Sequence, residues 1–127
     1  MIKRCVAIAI LGTSMGPVAA QAQQLDVPVM EYASADLDTC SLGKVANLKA
    51  DGDGFLAVRS GPGSKYTKLD EIYNGKKLWL FDDKGEWLGV VYDAPDLSCL
   101  PIDADRPVPY EGKKGWVHKK WVEFLAG

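Results

Sequence analysis

Apolar side chains recur along this chain in short alternating runs and not with a helical period. Runs at residues 45–49, 55–59, 68–73, 77–81 and 86–92 are separated by turn signals: residues 51–54, Asn74-Gly75 and residues 82–85. A period of two sends successive side chains to opposite faces of a strand, so these runs predict short strands. No helical period longer than one turn competes. Short strands with Gly-containing turns between them predict an all-β fold closed into a small barrel. The hairpin about residues 83–85 is the clearest local unit. Leu78 and Leu80 face one side and Trp79 and Phe81 the other; across the turn, Leu88 and Val90 alternate with Trp87 and Val91. Aromatic residues on both faces predict a core inside the barrel and a covered or ligand-binding surface outside it.

The run Leu56-Ala57-Val58-Arg59 goes straight into Ser60-Gly61-Pro62-Gly63. Leu56 and Val58 share one face, Ala57 and Arg59 the other. Pro62 presets φ at the second position of a tight turn, and Gly63 is expected to supply a positive φ at the third. Arg59 is expected to brace this turn through loop carbonyls.

The first 22 residues have a different character. Lys3 and Arg4 precede an apolar stretch at residues 6–11, and Ala20-Gln21-Ala22 is a small-x-small cleavage site, together the pattern of a secretory signal peptide. The apolar stretch is well short of the roughly 20 residues that span a bilayer, so no membrane insertion is expected after cleavage. Cys5 precedes the apolar stretch and is not the lipid-modified cysteine of a lipoprotein. A periplasmic or secreted location follows. Without Lys3 and Arg4, 13 basic residues face 17 acidic ones, a formal charge of −4, which speaks against nucleic acid and anionic lipid as partners. About 105 residues remain, one small domain whose core is marginal by itself. Two cysteines survive cleavage, Cys40 and Cys99. An even count in an oxidising compartment reads as one disulfide, and closing a loop of about 60 residues is worth about 4 kcal/mol in the chain-entropy model. Residues 23–39 carry no sustained period and read as an extended lead-in that Cys40 fastens to the body, residues 40–127.

A strand ending in Val58-Arg59-Ser60-Gly61-Pro62-Gly63, a middle hairpin, and a closing Gly115-Trp116-Val117 before a short turn and a last apolar strand resemble the bacterial SH3 domain, over roughly residues 45–125. The resemblance implies an SH3-like β-barrel and a non-catalytic binding module for cell-wall peptide, that is, peptidoglycan. The chain departs from the family at residues 93–114, a Pro- and Asp-rich insertion of 22 residues that carries Cys99. A Cys40–Cys99 bridge would tether it over the lead-in. Two readings of this loop stay open: a lid on the barrel's end, or a functional segment that covers or rebuilds the ligand groove.

Catalytic patterns are weak. His118, the single histidine, stands among Lys119, Lys120 and Trp121 without a thiol partner. Residues 51–55 begin like a calcium loop but place Phe55 at the third ligand position. Asp82 with Asp83, and Asp103 with Asp105, read as turn and loop carboxylates. No enzyme activity, metal or cofactor is expected. Aromatic residues are the better lead, because a small barrel cannot bury Tyr66, Tyr73, Trp79, Trp87, Tyr110, Trp116 and Trp121 together, and exposed rings beside polar loops suit sugars and peptides. In the family, the loop after the Gly-Pro-Gly turn and the residues around the hairpin line the groove. Tyr66 and Trp87 are therefore the first ligand-binding candidates, followed by Tyr73 and Tyr110, while Trp116 and Trp121 are assigned to the core. Small size, acidic charge and a stapled loop also suit a protein-interaction factor, of inhibitor or immunity type, docking on a periplasmic enzyme.

Overall fold

The computed structural model describes residues 24–126 apart from residues 36 and 50–53. The signal-peptide assignment and most of the 51–54 turn lie outside the described residues. The chain is all-β, in the order β1 Met30–Glu31, β2 Ser41–Val45, β3 Leu56–Arg59, β4 Lys68–Ile72, β5 Lys77–Lys84, β6 Trp87–Tyr92, β7 Arg106–Pro107, β8 Lys113–His118, a single 3-10 turn Lys119–Trp121, and β9 Val122–Ala126. Seven strands form one antiparallel sheet in the order β4-β3-β8-β6-β5-β2-β9, and β1 pairs with β7 in a separate two-stranded ribbon. Among the described residues the sheet's two end strands, β4 and β9, are not hydrogen-bonded to each other, yet the sheet curls around one core as an SH3-like barrel does.

Alternation in the strands produces two apolar layers. Inside the curl lie Val45, Leu56, Val58, Ile72, Leu78, Leu80, Leu88, Val90, Tyr92 and Val117. On the outer face, Phe81, Val91 and Trp116 pack with Val29, Cys40 and Val108 as a second buried cluster. The hairpin alternation thus holds on both faces up to a bulge between Leu80 and Asp82, where Leu80 pairs with Val90 and Asp82 with Gly89. The extra residue turns Asp82 inward to the second layer.

That second layer is built by the lead-in and the insertion together. Met30 pairs with Pro107 and Glu31 with Arg106, and the Cys40–Cys99 disulfide, Cα–Cα 4.9 Å, closes the same arrangement. Beside it the Thr39 N–H donates to the Cys99 carbonyl at 2.7 Å. Hydrogen bonds tie the cover to the sheet: the Trp116 indole N–H donates to the Val27 carbonyl at 2.9 Å, and the Met30 N–H and Tyr32 hydroxyl both donate to the Asp82 carboxylate. Burial, then the charge and hydrogen bond of Asp82, push the Tyr32 hydroxyl above its ordinary pKa. Asp82, expected as a turn carboxylate, is buried in β5, and its burial is tolerated because the two lead-in donors satisfy its oxygens. Glu31 is likewise fully buried and takes the Arg106 Nε–H at 2.6 Å. Gly89 makes room for this packing: a Cβ there would come within 3.2 Å of the Trp116 ring and 3.0 Å of Val29.

The corner after β3 differs from expectation in one respect. Gly63 does not adopt a positive φ, unlike Gly75, Gly85 and Gly112. The Tyr66 ring lies against the turn instead, so that a Cβ on Gly61 would meet ring carbons at 2.6 Å. Glycine is needed here for close approach and not for handedness. Arg59 Nη1 donates to the Tyr66 carbonyl at 2.9 Å, the bracing contact expected of it.

Two outcomes follow. Replacing Cys40 and Cys99 together by serine is expected to lower unfolding stability by roughly 2–4 kcal/mol, read as a reduced urea midpoint; an unchanged midpoint would mean that the bridge adds nothing. Asp70 supplies the second. Burial disfavours its charge, but the Tyr92 hydroxyl at 2.7 Å, the Glu71 N–H at 2.8 Å and Lys113 outweigh burial and hold its carboxyl below the ordinary value. A carboxyl more acidic in the folded chain stabilises the fold above its unfolded pKa, and the contribution is lost as pH falls through the folded value. Tyr92→Phe is expected to raise the Asp70 midpoint and start acid unfolding at higher pH, which carboxyl-carbon NMR titration and melts between pH 2 and 5 would detect.

Candidate functional site

The cover stops short of one part of the outer face. Trp87, Gly89 and Val91 point outward on β6, and Trp116 and His118 outward on β8; Val91 and Trp116 are covered, whereas Trp87 and His118 are only partly buried. Next to them, Ala57 and Arg59 occupy the outer face of β3, which joins β8 through the Arg59–Trp116 register. The uncovered strip is an open groove of about 550 Å³. It is lined by Phe55, Leu56, Ala57 and Arg59 at β3, by Ser64 and Lys68 after it, and by Trp87, His118 and Trp121.

Local structure fixes the lining side chains. Trp87 opens β6 opposite Lys84 and His118, and its ring meets the imidazole edge-on with centroids 5.3 Å apart. His118 Nδ1 accepts the Lys120 N–H at 3.0 Å and so caps the 3-10 turn that carries Trp121. In a neutral ring the proton then sits on Nε2, which lies 3.9 Å from Glu86. Trp121 packs partly on the barrel core, with the Lys120 ammonium 5.0 Å from its ring centre. The Lys68 ammonium lies 4.8 Å from the Phe55 centroid while pairing with Glu71. Three aromatic rings and three cationic or ionisable side chains therefore share one concave surface, with no carboxylate among its lining residues.

The four aromatic candidates from the sequence are dispersed. Trp87 lines the groove. Tyr66 lies nearby in the chain, but its ring is laid against Gly61 and Gly63, where it shapes the turn. Tyr73 follows β4 and is 55% exposed, its hydroxyl 3.5 Å from Glu71. Tyr110 belongs to the cover, its ring 6.2 Å from Phe81. Trp116 is fully buried, in the outer layer and not in the barrel. Phe55, Arg59, His118 and Trp121 were not among the ligand candidates. Parity could have found Phe55 and Arg59, since both share the outward set of β3 with Ala57. His118 and Trp121 carry no such local signal.

A smaller hollow of about 370 Å³ lies at the start of β5, lined by Lys76, Lys77, Trp79, Asp93 and their neighbours. Lys77 sits 4.8 Å from the Trp79 ring centre and Lys76 pairs with Asp93 at 2.8 Å. Three of the paired carboxylates have structural partners: Asp82 holds the lead-in, Asp83 meets Lys119, and Asp105 accepts the Ala33 N–H. Among the described residues no group of three or more His, Cys, Asp or Glu side chains is placed to hold a metal ion.

The family model described as bacterial SH3 domain matches residues 54–123, from the residue before Phe55 to the first residues of β9. No curated protein and no solved structure matches the chain. The match covers more than half of the chain and includes every residue of the groove, and the sheet it spans has the antiparallel order described above: the chain belongs to the bacterial SH3 domain family.

Proposed function

We propose that this protein is a non-catalytic binding module, exported to the periplasm or secreted, that recognises cell-wall peptide of peptidoglycan in the groove between β3, β8 and the 3-10 turn. The observation that carries this reading is the convergence of Phe55, Trp87 and Trp121 on one open groove beside Arg59, Lys68 and His118. Partly exposed rings give flat apolar contact for a peptide or sugar, and the polar groups at their edges supply hydrogen bonds. Membership of a family whose domains generally serve as binding modules supports it. The signal-like first 22 residues support export.

Purified, oxidised protein is expected to co-sediment with intact sacculi. Trp87→Ala should weaken binding by roughly tenfold, the size expected when an aromatic contact residue of a site is truncated. Sedimentation of the variant at the wild-type level would remove Trp87 from the site, and wild-type protein that stays in the supernatant would overturn the wall-peptide reading.

A second reading has its own observation. Leu37 and Leu100 are 65% and 70% exposed, one on each of the two segments that the Cys40–Cys99 bridge joins, and exposed apolar side chains are what a protein partner covers. This pair supports a protein-interaction factor docking on a periplasmic enzyme. Leu37→Asp combined with Leu100→Asp should then abolish capture of a stoichiometric protein from periplasmic extract without altering sacculus binding. Equal capture by the variant would sink this second reading.

A further inference from the structure

Charge in the groove runs against charge in the whole chain. Acidic residues outnumber Lys and Arg, 17 to 15, yet the groove is lined by Arg59, Lys68 and His118 and by no carboxylate. Two of these three have acidic neighbours, since Lys68 pairs with Glu71 and His118 lies 3.9 Å from Glu86. Arg59 differs. Its Nη1 donates to the Tyr66 carbonyl at 2.9 Å, and no carboxylate among the described residues pairs with it.

We infer that Arg59 is the specificity-determining residue of the groove and that the ligand it reads is a peptide bearing a free carboxylate. The inference rests on the reading of the groove as a wall-peptide site. A guanidinium carries five N–H donors in one plane. One donor fixed on Tyr66 sets the orientation of that plane, and others remain for the groove it lines. The anchor belongs to a hydrogen-bonded turn, in which the Tyr66 N–H donates to the Gly63 carbonyl at 3.2 Å and the Ser60 N–H to the Thr67 carbonyl at 2.9 Å. Arg59 is thus preorganised for a two-point contact with a carboxylate, the geometry that distinguishes arginine from lysine. Phe55, Trp87 and Trp121 bring apolar surface to the same groove and lower the local dielectric, which strengthens a charge-assisted hydrogen bond. A neutral ligand of the same shape would leave the guanidinium partly desolvated and unpaired, so the groove rejects it.

Calorimetric titration with two probes tests this: a synthetic wall-type tetrapeptide with its carboxylates free, and the same tetrapeptide fully amidated. The full-length oxidised protein is expected to bind the free acid at least about tenfold more tightly, as hydrogen bonds to charged groups generally allow. Arg59→Gln should reduce that preference to near unity, and Arg59→Lys should restore only part of it. Thermal melts identify any variant that loses the turn brace, and the two-probe comparison on the wild-type chain does not depend on the variants. Equal binding of both probes by the wild type, or a preference that survives in folded Arg59→Gln, overturns the assignment to Arg59 and leaves the wall-peptide reading intact. If neither probe binds, both the assignment to Arg59 and the wall-peptide reading are overturned.

Discussion

The buried indole of Trp116 is the contact on which the arrangement turns. It lies on the outer face of β8, opposite Gly89, where an SH3-like sheet of this size would otherwise present it to water. Burying so large a side chain is strongly favourable, but its N–H needs an acceptor once water is excluded. The Val27 carbonyl supplies one, which fixes the lead-in against the sheet. Val29 then fills the space that Gly89 leaves, Met30 and Tyr32 reach Asp82, and β1 receives β7 from the insertion. The disulfide joins two segments that these contacts already bring together. It restricts the unfolded chain and leaves the cover's position to the packing.

The same cover defines the groove by ending where it does. Lead-in and insertion seal Phe81, Val91 and Trp116 and leave Trp87, His118 and the outward residues of β3 beside solvent. None of the groove-lining residues comes from residues 93–114. The insertion is accordingly a structural cover for one half of the outer face, and its first residues, Asp93 and Ala94, line only the smaller hollow near Trp79. Apolar side chains with a cover thereby form the second core, and apolar side chains without one form the groove for which binding is proposed.

Much of this was legible from local pattern. Strand alternation separated Leu78 and Leu80 from Trp79 and Phe81, and Leu88 and Val90 from Trp87 and Val91, and the cysteine count anticipated the Cys40–Cys99 bridge; the expectation that these aromatic residues occupy both faces of the hairpin did not hold, because Trp79, Phe81 and Trp87 all join the outer layer. The lead-in was not legible, because its order comes from partners far along the chain: Val27 and Trp116 are 89 residues apart, Glu31 and Arg106 are 75 apart, and no short-range period encodes such contacts. Gly63 was misread for a related reason. A Gly-Pro-Gly sequence signals handedness in an isolated turn, but here the Tyr66 ring needs the space that a missing Cβ provides at Gly61, while a Cβ on Gly63 would make only ordinary contact with it. Of the four aromatic candidates, Trp87 lines the groove, since its place depends on strand parity, whereas those of Tyr66 and Tyr110 depend on what folds over them.

The four tryptophans offer the most direct test of this division. Their indole N–H signals can be followed together in a two-dimensional NMR spectrum as a soluble wall-type peptide is added to the oxidised protein. The account predicts that the Trp87 and Trp121 signals move with saturating dependence on ligand, while the Trp116 signal, hydrogen-bonded to Val27, and the Trp79 signal stay in place. Movement of Trp116 or Trp79 with Trp87 and Trp121 unmoved would contradict it, and would put the ligand on the covered half of the surface.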